Sequence, residues 1–275
     1  MSMQAPVGVF DSGIGGVSVL RKIRDLLPDE NLIYVGDSIH LPYGEKSLEE
    51  IRQYTVGVVA FLKSQGCKLV VIACNTASAA ALSYVREQFP ELPIIGMEPA
   101  VKPAAENTRS GVVGVIATTA TFQGQLFASV VERFANNVNV LRQPCPGLVQ
   151  QIEAGELETP KTEAMLRTWL EPMLEKSMDE LVLACTHYPF VLPLIKRICG
   201  ESVNVIDPAP AVAKQTQRVL ENMRLRNENQ IDATTVYYTT GRTAVFEQTL
   251  KKLTGETHTA LHLNWNADQN QLSEG

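Results

Sequence analysis

Leu69-Val70-Val71-Ile72-Ala73-Cys74-Asn75-Thr76 reads as a buried strand running into a helix. Four apolar, mostly β-branched residues suit a strand covered on both faces. Ala73 is small, and Cys74 stands where the strand should stop. Asn75, Thr76 and Ser78 then offer N-cap chemistry to an Ala-rich helix. The same design returns at Leu181-Val182-Leu183-Ala184-Cys185-Thr186. Two cysteines therefore stand in matched settings.

On the N-terminal side, residues 7–10 predict a strand. Asp11-Ser12-Gly13-Ile14-Gly15-Gly16 predicts a turn, and a helix follows to about Leu27. Glycines there would let backbone N–H groups approach an anion at the helix N-terminus. Ser18 breaks a G-x-G-x-x-G pattern, so a dinucleotide site is not indicated. Residues 31–35 predict a second strand. Ser47 with Glu50 forms a capping box that opens a helix to about Gln65. Residues 93–97 predict a strand closed by Glu98-Pro99.

Farther along, residues 102–107 predict a helix and 112–116 a strand, which ends in Ala117-Thr118-Thr119-Ala120-Thr121. Residues 123–134 and 162–177 predict helices, 138–141 a strand, and Pro189 and Pro193 bracket a short helix. Residues 203–206 predict a strand closed by Asp207-Pro208. The tail predicts a helix over 211–226, a strand over 236–239, a helix over 244–253 and a last strand over 260–263. Strands alternating with helices indicate an α/β fold with parallel sheets.

Four anchors recur in order at a nearly constant offset. Val7-Gly8-Val9-Phe10-Asp11-Ser12 matches Val113-Gly114-Val115-Ile116-Ala117-Thr118. The strand at 31–35 matches that at 138–141, the two cysteine strands match, and Glu98-Pro99-Ala100 matches Asp207-Pro208-Ala209. One match is chance, because apolar strands look alike; four in order favour duplication. The expectation is two pseudo-symmetric α/β domains, residues 1–98 plus 209–275 and residues 99–208, with the active site in the cleft between them. Ligands of open parallel sheets sit beyond the carboxyl ends of the strands. Asp11, Ser12, Cys74 and Asn75 fall at such ends in the first domain, and Thr118, Thr119, Cys185 and Thr186 in the second.

The 275 residues are 45% hydrophobic with a net charge of −6. That balance argues against nucleic acid or an anionic membrane as partner. No apolar run is long enough for a membrane span, and the first residues lack the features of a signal peptide. Five cysteines at scattered spacing, with no C-x-x-C, suit free thiols in a reducing cytoplasm.

An isolated strand-end cysteine is ordinarily a small buried residue. A facing pair suggests more. A racemase removes a proton from one face of a carbon and returns one to the other, and each base must also serve as acid. A thiol near a helix N-terminus or a histidine is expected to titrate lower than usual. Both cysteines precede predicted helices, His187 lies near Cys185, and Asp11 is a candidate proton partner for Cys74. Cys67, Cys145 and Cys199 have no such setting and are expected to be structural. His258 and His262 have i, i+4 spacing but no evident third ligand, so no metal is expected. His40 is expected at the rim, and Glu153 reads by itself as a solvated helix charge.

Four blocks carry a resemblance: Phe10-Asp11-Ser12-Gly13-Ile14-Gly15-Gly16; Tyr34-Val35-Gly36-Asp37 with Pro42-Tyr43-Gly44; Ala73-Cys74-Asn75-Thr76-Ala77; and Ala184-Cys185-Thr186-His187-Tyr188-Pro189. Together they resemble the signature blocks of bacterial glutamate racemases, over residues 7 to about 215. The resemblance implies a cofactor-independent, cytoplasmic enzyme that supplies D-glutamate for peptidoglycan. It implies Cys74 acting on the D-enantiomer and Cys185 on the L-enantiomer, with Asp11 and His187 assisting. Asp11, Ser12, Tyr43, Gly44, Asn75, Thr76, Thr186 and His187 would bind glutamate. Thr118, Thr119 and Thr121 would hold a carboxylate, and Glu153 would be a further proton partner. The expected partners are glutamate and a second copy of the chain in a homodimer.

The segment Asp37-Ser38-Ile39-His40-Leu41 is bulkier than the family's usual form. Gln143-Pro144-Cys145-Pro146-Gly147 is a variant of its A-C-P block. The short segment before residue 7 leads to an expectation of activity without a cell-wall precursor activator. Without a cofactor, the charge that develops beside a carboxylate needs oriented donors: backbone N–H groups of the Gly13–Gly16 turn and of the helices after both cysteines, plus Thr and Asn side chains. Aspartate racemisation shares the architecture. A two-lobed binding module would show affinity without turnover, and a thiol hydrolase would leave the second cysteine unexplained.

Overall fold

The computed structural model describes residues 2–135, 137–228, 232–266 and 271–275. The first lobe begins with β1 (Val7–Asp11), α1 (Val17–Leu26), β2 (Leu32–Gly36), α2 (Leu48–Ser64), β3 (Leu69–Ile72), α3 (Asn75–Gln88) and β4 (Ile94–Gly96). The second comprises α4 (Val101–Asn107), β5 (Val112–Ala117), α5 (Thr119–Gln123), α6 (Gln125–Phe134), β6 (Asn139–Pro144), α7 (Leu148–Glu153), α8 (Pro160–Leu174), β7 (Glu180–Ala184), α9 (Leu192–Cys199) and β8 (Asn204–Ile206). The chain then returns to the first lobe with α10 (Ala209–Asn222), β9 (Thr235–Thr239), α11 (Thr243–Thr254), β10 (Ala260–Asn266) and β11 (Gln271–Glu274).

The central strands β1 and β3 are buried at every position, as are β2 and β7, which explains their largely apolar sequences. Strand order is β11-β10-β9-β2-β1-β3-β4 in the larger sheet and β6-β5-β7-β8 in the smaller. Within these, β2-β1-β3-β4 and β6-β5-β7-β8 correspond strand for strand. Each sheet carries helices on both faces: α1 and α10 pack on one side of the larger sheet and α2 and α3 on the other.

Register places the chemistry. Phe10 pairs with Ile72, so Asp11 and Ala73 leave their strands side by side. In the smaller sheet Ala117 pairs with Ala184, so Thr118 and Cys185 leave together. At the opposite end of the larger sheet, a fully buried Lys68–Glu30 ion pair spans 2.5 Å. Lys68 also donates to the carbonyls of Met3 and Leu225, which pins the N-terminal segment and the segment after α10.

Three local features differ from expectation. The last strand runs on to Asn266 and pairs antiparallel with β11, so the larger sheet is not wholly parallel. The helix expected over 123–134 is two helices meeting at Gly124, because the Thr118 hydroxyl accepts the Thr121 N–H and starts α5 early. After Cys185 comes a 3-10 turn, Tyr188–Val191, in place of an α-helix N-terminus.

Candidate active site

Cys74 and Cys185 line one cavity of about 10 Å³, buried where the carboxyl ends of the two sheets meet. That is room for about one water. The lobes are therefore closed on each other, and an amino acid enters only if they part.

On the first-lobe side, Cys74 is itself the N-cap of α3: its Sγ accepts the Ala77 N–H at 3.4 Å. Ser78, expected as a capping residue, instead donates its hydroxyl to the Ile72 carbonyl and accepts the Met97 N–H. The Cys74 thiol donates to the Ser12 hydroxyl at 3.6 Å. Burial and the negative charge of Asp11 push this thiol well above its ordinary range, outweighing the Ala77 N–H. The expected lowering at a helix N-terminus is thus reversed, and Cys74 rests as a protonated acid.

Asp11 acts on Cys74 through its charge; its hydrogen bonds go elsewhere. Its Oδ2 accepts N–H groups of Gly13 (3.2 Å) and Gly16 (3.0 Å), and its Oδ1 accepts the Thr186 hydroxyl at 3.2 Å across the lobe boundary. The Ile14 N–H meets Glu153 Oε1 at 3.0 Å. The glycine turn does gather backbone donors around anions, but the anions are the protein's own carboxylates. The N–H groups of Gly13, Ile14 and Gly16 are thus occupied by those carboxylates.

On the second-lobe side, His187 Nδ1 lies 3.9 Å from the Cys185 sulfur and its Nε2 lies 2.7 Å from Glu153 Oε1. Burial disfavours a charged imidazole, but the hydrogen bonds to Cys185 and Glu153 outweigh it. His187 is held well above the ordinary histidine range, as the imidazolium. Both ring nitrogens then carry protons, one aimed at a sulfur and one at a carboxylate. Glu153, at the end of α7, is therefore a buried-site partner of His187 and not a solvated helix charge.

The hydroxyls of Thr76, Thr118 and Thr121 form a closed triangle with edges of 2.9, 3.1 and 2.8 Å, joining α3 to α5. Thr76 and Thr118 reach the cavity; Thr121 is buried behind them. Thr119 is exposed and lies off the lining, because as the first residue of α5 it turns outward. The Tyr43 ring faces the cavity, while its hydroxyl donates to Asp37 at 2.6 Å. Gly44 touches Thr118 across the boundary. Ser12, Asn75 and Thr186 all line the cavity.

Asn75 is 2% exposed, and neither its amide nitrogen nor its carbonyl oxygen has a partner. An unpaired buried amide is costly, and a polar ligand meeting it would recover that cost.

Other residues shape the site without a binding or catalytic role expected from the sequence. Leu41, Pro42 and Val149 wall the cavity. Asp37 is a fully buried hub that also receives Thr240, Trp265 and His40, tying the loop over the site to the C-terminal strands. His40 stacks on Tyr54 at 3.8 Å and is not in the lining. The Ser18 hydroxyl donates to the Thr186 carbonyl at 3.0 Å. His258 meets Glu256, and His262 the Gly241 carbonyl. Among the described residues no group of three or more His, Cys, Asp or Glu is placed to hold a metal.

The chain is 53% identical over 253 residues to a glutamate racemase of Ectopseudomonas mendocina, covering 92% of this chain and 96% of that one. Its fold matches a glutamate racemase of Francisella tularensis in complex with D-glutamate at a TM-score of 0.86, with 30% identity over 96% of this chain and 99% of that one. It matches an Escherichia coli glutamate racemase in complex with L-glutamate and the activator UDP-MurNAc-ala at 0.81, with 32% identity over 93% and 97%. The profile of the Asp/Glu/Hydantoin racemase family spans residues 7–216. With both thiols, the glycine turn and the threonine triangle inside that span, the chain belongs to the Asp/Glu/Hydantoin racemase family.

Proposed function

We propose that this racemase interconverts L- and D-glutamate, with Cys74 and Cys185 as acid and base on opposite faces of one α-carbon. The observation carrying the reading is that one small closed cavity receives a thiol from each of two sheets of like strand order. Glutamate is the substrate because the named relatives and structural neighbours of this length and identity are glutamate racemases.

In the L-to-D direction the thiolate of Cys185 takes the α-proton, and the electron pair of the broken C–H bond spreads into the α-carboxylate. The Cys74 thiol then gives its proton to the opposite face, leaving Cys74 as thiolate and Cys185 as thiol. The reverse reaction runs the same steps backwards. Resting protonation favours this division: Cys74 is kept as a thiol by burial and Asp11, while an imidazolium stands beside Cys185.

Charge building on the α-carboxylate needs donors in a site without bulk water. The Asn75 amide and the Thr76 and Thr118 hydroxyls are suited to this, and each donor is worth roughly 3 kcal/mol in such a site. Cofactor independence follows from this division of labour between two thiols and fixed donors. The reading extends to a cytoplasmic homodimer supplying D-glutamate for peptidoglycan; five free, buried thiols suit a reducing compartment.

Circular dichroism of L- or D-glutamate with the purified protein tests the activity. Decay of either signal to zero supports it. A stable glutamate signal with decay of aspartate would assign the related aspartate activity, and stability of both would remove racemisation of these substrates. Size-exclusion chromatography tests the dimer. Growth of a D-glutamate-requiring bacterium carrying this gene tests the supply role.

A further inference from the structure

Several contacts between the lobes have a glycine on one side. A methyl group on Gly13 would stand 2.5 Å from Glu153 Oε1, and one on Gly44 would stand 2.7 Å from the Thr118 Cβ. Gly44 lines the cavity, and Gly13 directly follows its lining residue Ser12. A third, Gly124, lies off the lining. It joins α5 to α6 in the second lobe and faces Ala79 on α3 in the first. A methyl there would stand 2.5 Å from the Ala79 Cβ and 2.7 Å from its carbonyl oxygen.

Gly124 has φ −70° and ψ 142°, a conformation open to any residue. Backbone freedom therefore does not explain the glycine; proximity does. An ordinary Cβ contact begins at 3.4 Å, so an alanine at 124 would part α3 from the α5–α6 junction by about 1 Å. Flexible side-chain ends do not absorb the clash, because two of the opposing atoms are backbone.

Both helices lead to the reaction centre. α3 starts directly after Cys74, and α5 is capped by Thr118, which leaves its sheet beside Cys185. Each thiol belongs to one lobe, so the gap at Ala79–Gly124 is mechanically linked to the span between the sulfurs.

We infer that Gly124 is a positioning residue: its missing side chain sets how far the lobes close, and hence whether both thiols reach one carbon. The catalytic part of this inference rests on the proposed racemisation. A misplacement of about 1 Å can cost on the order of 100-fold in rate.

The test compares wild type with Gly124→Ala, Ala79→Val and Gly111→Ala. Ala79→Val wedges the same contact from the first lobe. Gly111 has φ +74° and nothing within 4 Å of where a methyl would stand, so Gly111→Ala adds backbone strain without a wedge. Three readouts are taken: kcat with glutamate in both directions, melting temperature, and iodoacetamide labelling of Cys74 and Cys185 by peptide mass spectrometry without substrate. Gly124→Ala and Ala79→Val are expected to lose on the order of 100-fold in kcat. They are also expected to label faster at both cysteines. Gly111→Ala is expected to lower the melting temperature and keep wild-type kcat and labelling. Wild-type kcat and labelling in either folded wedge variant would overturn the inference. Equal loss in Gly111→Ala would also overturn it, by reducing the effect to general destabilisation. If wild type fails to racemise glutamate, the proposed substrate falls, while the labelling rates still decide whether Gly124 limits closure.

Discussion

His187 Nε2 lies 2.7 Å from Glu153 Oε1, and the same oxygen accepts the Ile14 N–H at 3.0 Å. One carboxylate of the second lobe therefore both charges the imidazole beside Cys185 and grips the glycine turn of the first lobe. Asp11 does the reverse, taking the Thr186 hydroxyl from across the boundary while raising the Cys74 thiol. Each lobe's carboxylate thus stabilises closure and sets a proton on a neighbouring group.

Glu153→Gln tests the first half of that relationship. The folded-state value of His187 lies above its unfolded value of about 6.5, so the charged pair contributes fully below about pH 6.5. The contribution fades as pH rises through the raised folded value. Denaturant unfolding should show Glu153→Gln less stable than wild type by about 2 kcal/mol at acid pH, with the gap closing as pH rises. A gap independent of pH would show that His187 is not held charged.

Asp11→Asn tests the second half. Removing the negative charge should lower the pH at which Cys74 becomes reactive to iodoacetamide. Burial, the larger cause, should still keep it above an ordinary thiol. An unchanged Cys74 profile would mean that Asp11 serves the turn and the Thr186 contact and leaves the thiol alone.

Asn75→Ala separates binding from folding. Because the Asn75 amide has no partner in the closed cavity, its removal should leave the melting temperature unchanged or higher. The same variant should raise KM for glutamate about tenfold, the equivalent of roughly 1.4 kcal/mol. A lower melting temperature with wild-type KM would make Asn75 a structural residue.

The features legible in the sequence were those fixed by neighbouring residues. The apolar run Leu69–Ile72 and its counterpart Glu180–Ala184 are buried central strands, and Ser47 with Glu50 closes a full capping box. That Cys74 and Cys185 reach one cavity was legible because the repeat put them at equivalent strand ends. What escaped depends on distant contacts. Gln271-Leu272-Ser273-Glu274 has little apolar content and becomes β11 by pairing with β10. The glycine turn looked ready for a ligand, and only folding brings Glu153 onto the Ile14 N–H. The Cys74 shift runs opposite to the expected one because burial and the Asp11 charge together exceed the local N-cap contribution, and neither can be read from spacing. Gly124 falls inside an expected helix, and only the fold brings Ala79 against it.

Two thiols on opposite faces are told from a single base by running L-glutamate to D-glutamate in deuterated water and weighing the separated enantiomers early in the reaction. Two bases place a deuteron at the α-carbon of D-glutamate from the first turnovers, leave the α-hydrogen in unreacted L-glutamate, and allow no racemisation in Cys74→Ala or Cys185→Ala. D-glutamate that keeps its original α-hydrogen would contradict this, because a single base would then be carrying the same proton from one face to the other.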